Sequence, residues 1–91
     1  MPGVRENKIK KLKIRSMRRG IKEMDVILSY YSDICLEKMS GVKLELYSDL
    51  LFENDQDLYN WCSGQAVPKE KYSVIIAEIR AVLKEKKFDY L

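Results

Sequence analysis

Apolar residues recur along this 91-residue chain at spacings of three and four, and no stretch of five or more residues alternates convincingly between apolar and polar. The pattern predicts five helices and no strands. The first covers about residues 7–18, with Ile9, Leu12 and Met17 as its apolar stripe, lysines filling the rest, and Asn7 as the expected N-cap. Gly20 interrupts the pattern as a turn or close-contact point would. The second covers residues 21–32 or a little beyond, with Ile21, Met24, Ile27, Leu28, Tyr31 and Ile34 or Cys35 in register. Residues 33–41 read as a fraying end and a loop. Ser40 then caps a third helix whose Leu44, Tyr47, Leu50 and Leu51 share a face, although Lys43 stands where a capping box would place Glu.

Asn54, Asp55 and Asp57 punctuate the chain before a short fourth helix over residues 58–62, where acids suit the positive end of a helix dipole. Ser63 and Gly64 stop it, with Gly64 a natural left-handed residue. Pro68 is expected to open the fifth helix, whose stripe is Tyr72, Ile75, Ile76, Ile79, Val82 and Leu83. Connections this short fold neighbouring helices back on one another. The expected architecture is therefore all-α, a compact five-helix bundle in a single domain. Residues 1–7 are expected as a flexible N-terminus, 8–85 as the helical domain, and 86–91, including Phe88 to Leu91, as a loose tail.

Composition narrows the chemistry. The content is 46% hydrophobic and 34% charged, which is globular and not disordered. There is no histidine, so the commonest general base and metal ligand are missing. Cys35 and Cys62 lie far apart and form no Cys-x-x-Cys pair, which argues against zinc. They read as two small buried hydrophobes in a reducing compartment, with a disulfide as the lesser alternative. No apolar run reaches the ~20 residues of a membrane span, and the N-terminus lacks the apolar core of a secretory signal. Its basic run could in isolation be a mitochondrial presequence, but it leads straight into a helix and reads as mature protein.

Charge is unevenly placed. Residues 1–23 carry a net +7 and residues 24–67 a net −6, as a binding module with a polarised surface would. The basic run from Lys8 to Arg19 admits three readings: a phosphate grip, a helix lying on anionic lipid, or a solvated face whose apolar stripe packs on the bundle. No catalytic constellation stands out, because the four glycines are scattered and no Cys–His or Ser–His pair can exist. Asp55 and Asp57 read as helix caps before they read as an acid/base pair. Leu58 and Trp61, three apart, share a helix face, so Trp61 is read as a core anchor, with an exposed binding hot spot as the alternative.

Two segments together carry a resemblance. The first is Arg18-Arg19-Gly20-Ile21-Lys22-Glu23-Met24-Asp25. The second is Leu50-Leu51 followed by Asp55-Gln56-Asp57-Leu58-Tyr59-Asn60-Trp61, then Pro68 and an amphipathic helix. Over about residues 8–83 the chain resembles the SdhE family of flavinylation factors, in which Arg-Gly-x-x-Glu precedes Asp-Leu-x-x-Trp by roughly 35 residues. It departs from the family at Met24, where Leu is usual, at Gln56, where proline is frequent, and at residues 40–43, where the helix start is usually more acidic.

The resemblance implies a five-helix bundle and an assembly factor that is not itself an enzyme. Its partner would be the flavoprotein subunit of succinate dehydrogenase, with that of fumarate reductase as a further candidate. The FAD would be the partner's cofactor and not this chain's own. Arg18, Arg19, Gly20, Glu23, Asp25, Asp55 and Asp57 would meet the partner, while Leu58 and Trp61 would be structural. Arg19 is suited to bidentate pairing with a carboxylate; the competing local reading is an Arg19–Glu23 pair within the second helix. No nucleic acid and no membrane insertion are expected. The expected location is the bacterial cytoplasm, with the mitochondrial matrix as the lesser alternative. The rival function is a small basic helical nucleic-acid-binding module, which would bind with a steep salt dependence.

Overall fold

The computed structural model describes residues 3–86. Five α-helices follow one another: α1 (Val4–Met17), α2 (Lys22–Cys35), α3 (Gly41–Leu50), α4 (Asp55–Ser63) and α5 (Ser73–Lys86). Single 3-10 turns at Leu36–Lys38 and Glu70–Tyr72 lead into α3 and α5, and there is no strand among the described residues. Helix α2 is central and packs against α1, α4 and α5.

The stripes expected from spacing form the core. Met24, Ile27, Leu28 and Tyr31 of α2 are buried, as are Leu44, Tyr47 and Leu50 of α3 and Ile75, Ile76, Ile79 and Leu83 of α5. Tyr31 and Tyr47 meet with ring centroids 5.7 Å apart. Leu58 and Trp61 enter the same core from α4, and the Trp61 ring lies 6.1 Å from that of Tyr72. Large aromatic surfaces of this kind dominate the apolar burial of a small domain. Both cysteines are free thiols; Cys62 is buried and Cys35 half-buried. Burial pushes the Cys62 thiol up to about 12, partly offset by the Arg80 guanidinium.

Several local expectations need correction. Helix α1 begins at Val4, after Gly3, so Asn7 lies within the helix and residues 4–7 are helical. Met17 is 60% exposed and leaves the stripe, its place taken by Ser16. Ile9, Leu12 and Ser16 fall on one face, and the Ser16 hydroxyl meets the buried Tyr47 hydroxyl at 2.6 Å while bonding the Leu12 carbonyl at 2.7 Å. A serine serves there because the tyrosine hydroxyl needs a partner once it is buried.

Residues 33–41 are no loose loop. Helix α2 continues to Cys35, and the 3-10 turn is anchored by buried Leu36 at its start and buried Met39 just after its end. Ser40 caps α3, its hydroxyl accepting from the Lys43 amide at 3.2 Å. Helix α4 starts at Asp55 and not at Leu58, because the Asn54 side chain accepts from the amides of Gln56 and Asp57. Gly64 closes it with φ 84°, where only glycine is free of strain. Pro68 precedes the second 3-10 turn and does not open α5, which starts at Ser73. The expected tail from Phe88 to Leu91 lies outside the described residues.

Candidate docking site

The chain turns between α1 and α2 through Arg18, Arg19, Gly20 and Ile21. Arg18 ends α1, its amide reaching back to the Arg15 carbonyl at 3.4 Å, and the extended Ile21 starts α2 without a side-chain cap. Two acids, Glu23 and Asp25, lie in the first turn of α2, where the helix dipole favours negative charge. The Asp25 carboxylate folds back and accepts from the Arg19 amide.

The Arg19 side chain points inward. Its Nε donates to Asp55 Oδ1 at 2.7 Å, Nη1 to the Leu51 carbonyl at 2.8 Å and Nη2 to the Glu53 carbonyl at 3.2 Å. The two carbonyls follow the end of α3, where backbone acceptors lose their helical partners and a cation is favoured. Asp55 opens α4, where an anion is favoured. One guanidinium thus ties the α1–α2 junction to the α3–α4 turn. With side-chain exposures of 10% for Arg19 and 18% for Asp55, this pair is largely covered.

Gly20 is exposed, yet its amide donates to Asp55 Oδ2 at 2.5 Å. A Cβ on Gly20 would lie 3.0 Å from that oxygen. A side chain here would press on that oxygen, and the approaching group is the chain's own carboxylate. Asp55 therefore accepts from a side chain and a backbone amide of the same junction, one with each oxygen.

Four of the seven residues expected at the partner surface are brought together by these bonds: Arg19, Gly20, Asp25 and Asp55. The expected local alternative, an Arg19–Glu23 pair, does not form, because Asp55 and the two carbonyls occupy the guanidinium. Arg18 is exposed and Glu23 half-buried beside the junction, and Asp57 is exposed on the first turn of α4. Leu58 is fully buried and Trp61 only 7% exposed, so the hot-spot alternative for Trp61 is excluded and its place is in the core.

Phe52 was not among the residues singled out. It is 79% exposed in the α3–α4 turn, with the Arg15 guanidinium 4.3 Å from its ring centroid. Arg15 also donates to the Ser48 hydroxyl and carbonyl at 3.1 and 3.0 Å. The one signal in the sequence is a phenylalanine between Leu51 and the polar run Glu53-Asn54-Asp55, off the α3 stripe.

The basic first helix is largely answered within the molecule. Lys8 pairs with Glu45, and Lys13 with Glu37 at 3.4 Å. Arg5 donates to the carbonyls of Glu37 and Met39, at 3.0 and 2.6 Å. With Arg15 and Arg19, five of the nine bases in residues 1–23 turn toward residues 37–55. The sequence's charge polarity is thus partly internal complementarity. Such an arrangement lends no support to a phosphate-gripping face, and the nucleic-acid reading is set aside. No described helix is long and apolar enough to cross a membrane.

The family model described as flavinator of succinate dehydrogenase matches residues 10–83, a span that contains both the α1–α2 junction and helix α4. This chain belongs to that flavinator family. The FAD assembly factor SdhE of Francisella tularensis is 32% identical over 72 residues, 79% of this chain and 73% of that protein. The mitochondrial succinate dehydrogenase assembly factor 2 of Schizosaccharomyces pombe is 37% identical over 68 residues, 75% of this chain and 49% of its own length. That of Aspergillus terreus is 42% identical over 60 residues, 66% of this chain and 20% of its own length. The chain thus spans about a fifth to a half of the length of these two fungal assembly factors.

Proposed function

We propose that this chain is an assembly factor that binds the flavoprotein subunit of succinate dehydrogenase and promotes covalent attachment of that subunit's FAD. The observation that carries the reading is the family match across residues 10–83, which includes the bonded Arg19–Gly20 junction and the Asp55–Trp61 segment that holds it. The flavoprotein subunit of fumarate reductase is a second client under the same reading.

The proposed mechanism is positional and not catalytic. Covalent attachment needs the flavin ring and a nucleophilic side chain of the partner aligned. A small protein that binds only the aligned conformation raises its population, and proximity then supplies the rate. The outer edge of the junction, with exposed Arg18, Gly20 and Asp57 and half-buried Glu23, makes the contact. Arg19, Asp25 and Asp55 hold that edge in shape. FAD remains the partner's cofactor. This chain's scattered glycines form no phosphate cradle, and the Gly20 amide is already bonded to Asp55. The reading places the chain where the flavoprotein subunit is assembled, in the bacterial cytoplasm or the mitochondrial matrix.

Co-expression of a succinate dehydrogenase flavoprotein subunit with and without this chain tests the proposal. Flavin fluorescence of the denatured subunit in a gel should rise with the chain present, and the two proteins should co-purify. Equal fluorescence in both cultures would remove the reading.

A further inference from the structure

We propose that Asp55 is a positioning residue, which sets the α1–α2 junction before the partner arrives and does not itself touch the partner. This inference rests on the flavoprotein-docking reading and assigns one of its residues a different role. The residue is 36 positions from Arg19 in sequence, yet Oδ1 accepts from Arg19 Nε and Oδ2 from the Gly20 amide. Both bonds are charge-assisted, which makes them stronger and more directional than neutral ones. The two terminal nitrogens of Arg19 donate to the Leu51 and Glu53 carbonyls, and the Arg19 amide to Asp25. At an exposure of 18%, the Asp55 side chain has little surface left to offer.

The junction has no side-chain cap at Ile21 to order it. Without Asp55, residues 18–20 would keep the Arg18 amide bond to Arg15, the Asp25 contact and the carbonyl bonds of Arg19. An edge that must be ordered during binding loses affinity relative to one ordered beforehand. Asp55 thus acts on the complex through Arg19 and Gly20, and the exposed Arg18 and half-buried Glu23 profit from it.

The test is a double-mutant cycle on affinity for the flavoprotein subunit, measured by calorimetry with the full chain. The variants are Asp55→Asn, Arg19→Gln and both together, each checked for helical circular dichroism and for a thermal transition above the assay temperature. Each single substitution should weaken binding about tenfold, and the double should weaken it by about the same factor, because contacts within one network are not additive. A double variant near a hundredfold weaker would mean that Asp55 contributes independently, and would overturn the inference. So would wild-type affinity in folded Asp55→Asn.

If Asp55→Asn does not fold, Asp55→Glu takes its place in the same cycle with Arg19→Gln, because the longer side chain keeps the charge but displaces the carboxylate from Arg19 Nε and the Gly20 amide. A double variant no weaker than the singles supports the inference; one weaker by the product of the two single factors overturns it. A wild-type chain that does not bind the subunit removes the docking reading itself, and the inference with it.

Discussion

The α1–α2 junction and helix α4 share one residue, Asp55, and are held by different forces. At the junction, order comes from hydrogen bonds: Asp55 and Asp25 accept from Arg19 and Gly20, and the carbonyls of Leu51 and Glu53 accept from the two terminal nitrogens of the guanidinium. One turn further along α4, order comes from apolar contact: Leu58 is fully buried and Trp61 stacks near Tyr72. The polar network faces the surface and keeps Arg18 and Gly20 exposed; the apolar helix faces the core and keeps the network's foundation fixed. The two sequence motifs therefore differ in what holds them: Leu58 and Trp61 are fixed by the core, and Arg19 and Gly20 by hydrogen bonds to Asp55.

Substitutions at the two regions should separate these roles. The largest effect is expected from Trp61→Ala, since emptying a buried aromatic site costs about 3–5 kcal/mol. Against a total stability of roughly 5–15 kcal/mol for a domain, much of the folded population would be lost. Urea denaturation followed by circular dichroism measures it, and a loss below 1 kcal/mol would break the assignment of Trp61 to the core.

Arg19→Ala comes next. It leaves the Asp55 carboxylate and two carbonyls without their guanidinium partner, at a cost of about 1–3 kcal/mol. The denaturation midpoint should fall while the far-ultraviolet spectrum of the folded state is kept. A midpoint equal to wild type would mean that the network is not formed in solution.

A third effect belongs to the base alone. Burial raises the Cys62 thiol from 9.0 to about 12, so the unfolded chain loses its proton first as pH rises. Its contribution to stability is full below pH 9 and is lost progressively toward pH 12, about 1 kcal/mol by pH 10. Burial also raises the Tyr31 and Tyr47 hydroxyls, which add in the same direction from their ordinary value of 10.0 upward. Thermal melts at pH 8 and 10 should show a smaller drop for Cys62→Ala than for wild type. Equal drops would place Cys62 in water.

How far the sequence discloses this structure depends on the range of the contacts. The stripes of α2 and α5 are legible because spacing of three and four is a local property of one helix. Ser16 is not, because its place in the α1 stripe depends on Tyr47 needing a buried partner 31 residues away. Asn54 and Asp57 both announce the start of α4, but only the geometry shows that Asn54 caps it and that the helix takes in Asp55. At the junction, the spacing of Arg19 and Glu23 favours a local ion pair, yet tertiary folding brings Asp55 and two carbonyls closer. Charge polarity misleads in the same way: basic α1 and the acidic middle look like two surfaces until the chain folds them against each other.

The smallest stability effect is also the most telling for function. Glu23 lies on the first turn of α2 beside the bonded junction, and it is not one of the groups that hold Arg19. Glu23→Ala should change stability by no more than about 0.5 kcal/mol. If this edge docks the flavoprotein subunit for covalent FAD attachment, as proposed, co-expressing the subunit with wild-type chain or with Glu23→Ala will separate the two. Gel fluorescence of the denatured subunit reads the covalent flavin. A bright band is expected with wild type and a band reduced at least severalfold with Glu23→Ala, at equal levels of folded chain. Bands of equal brightness would contradict it.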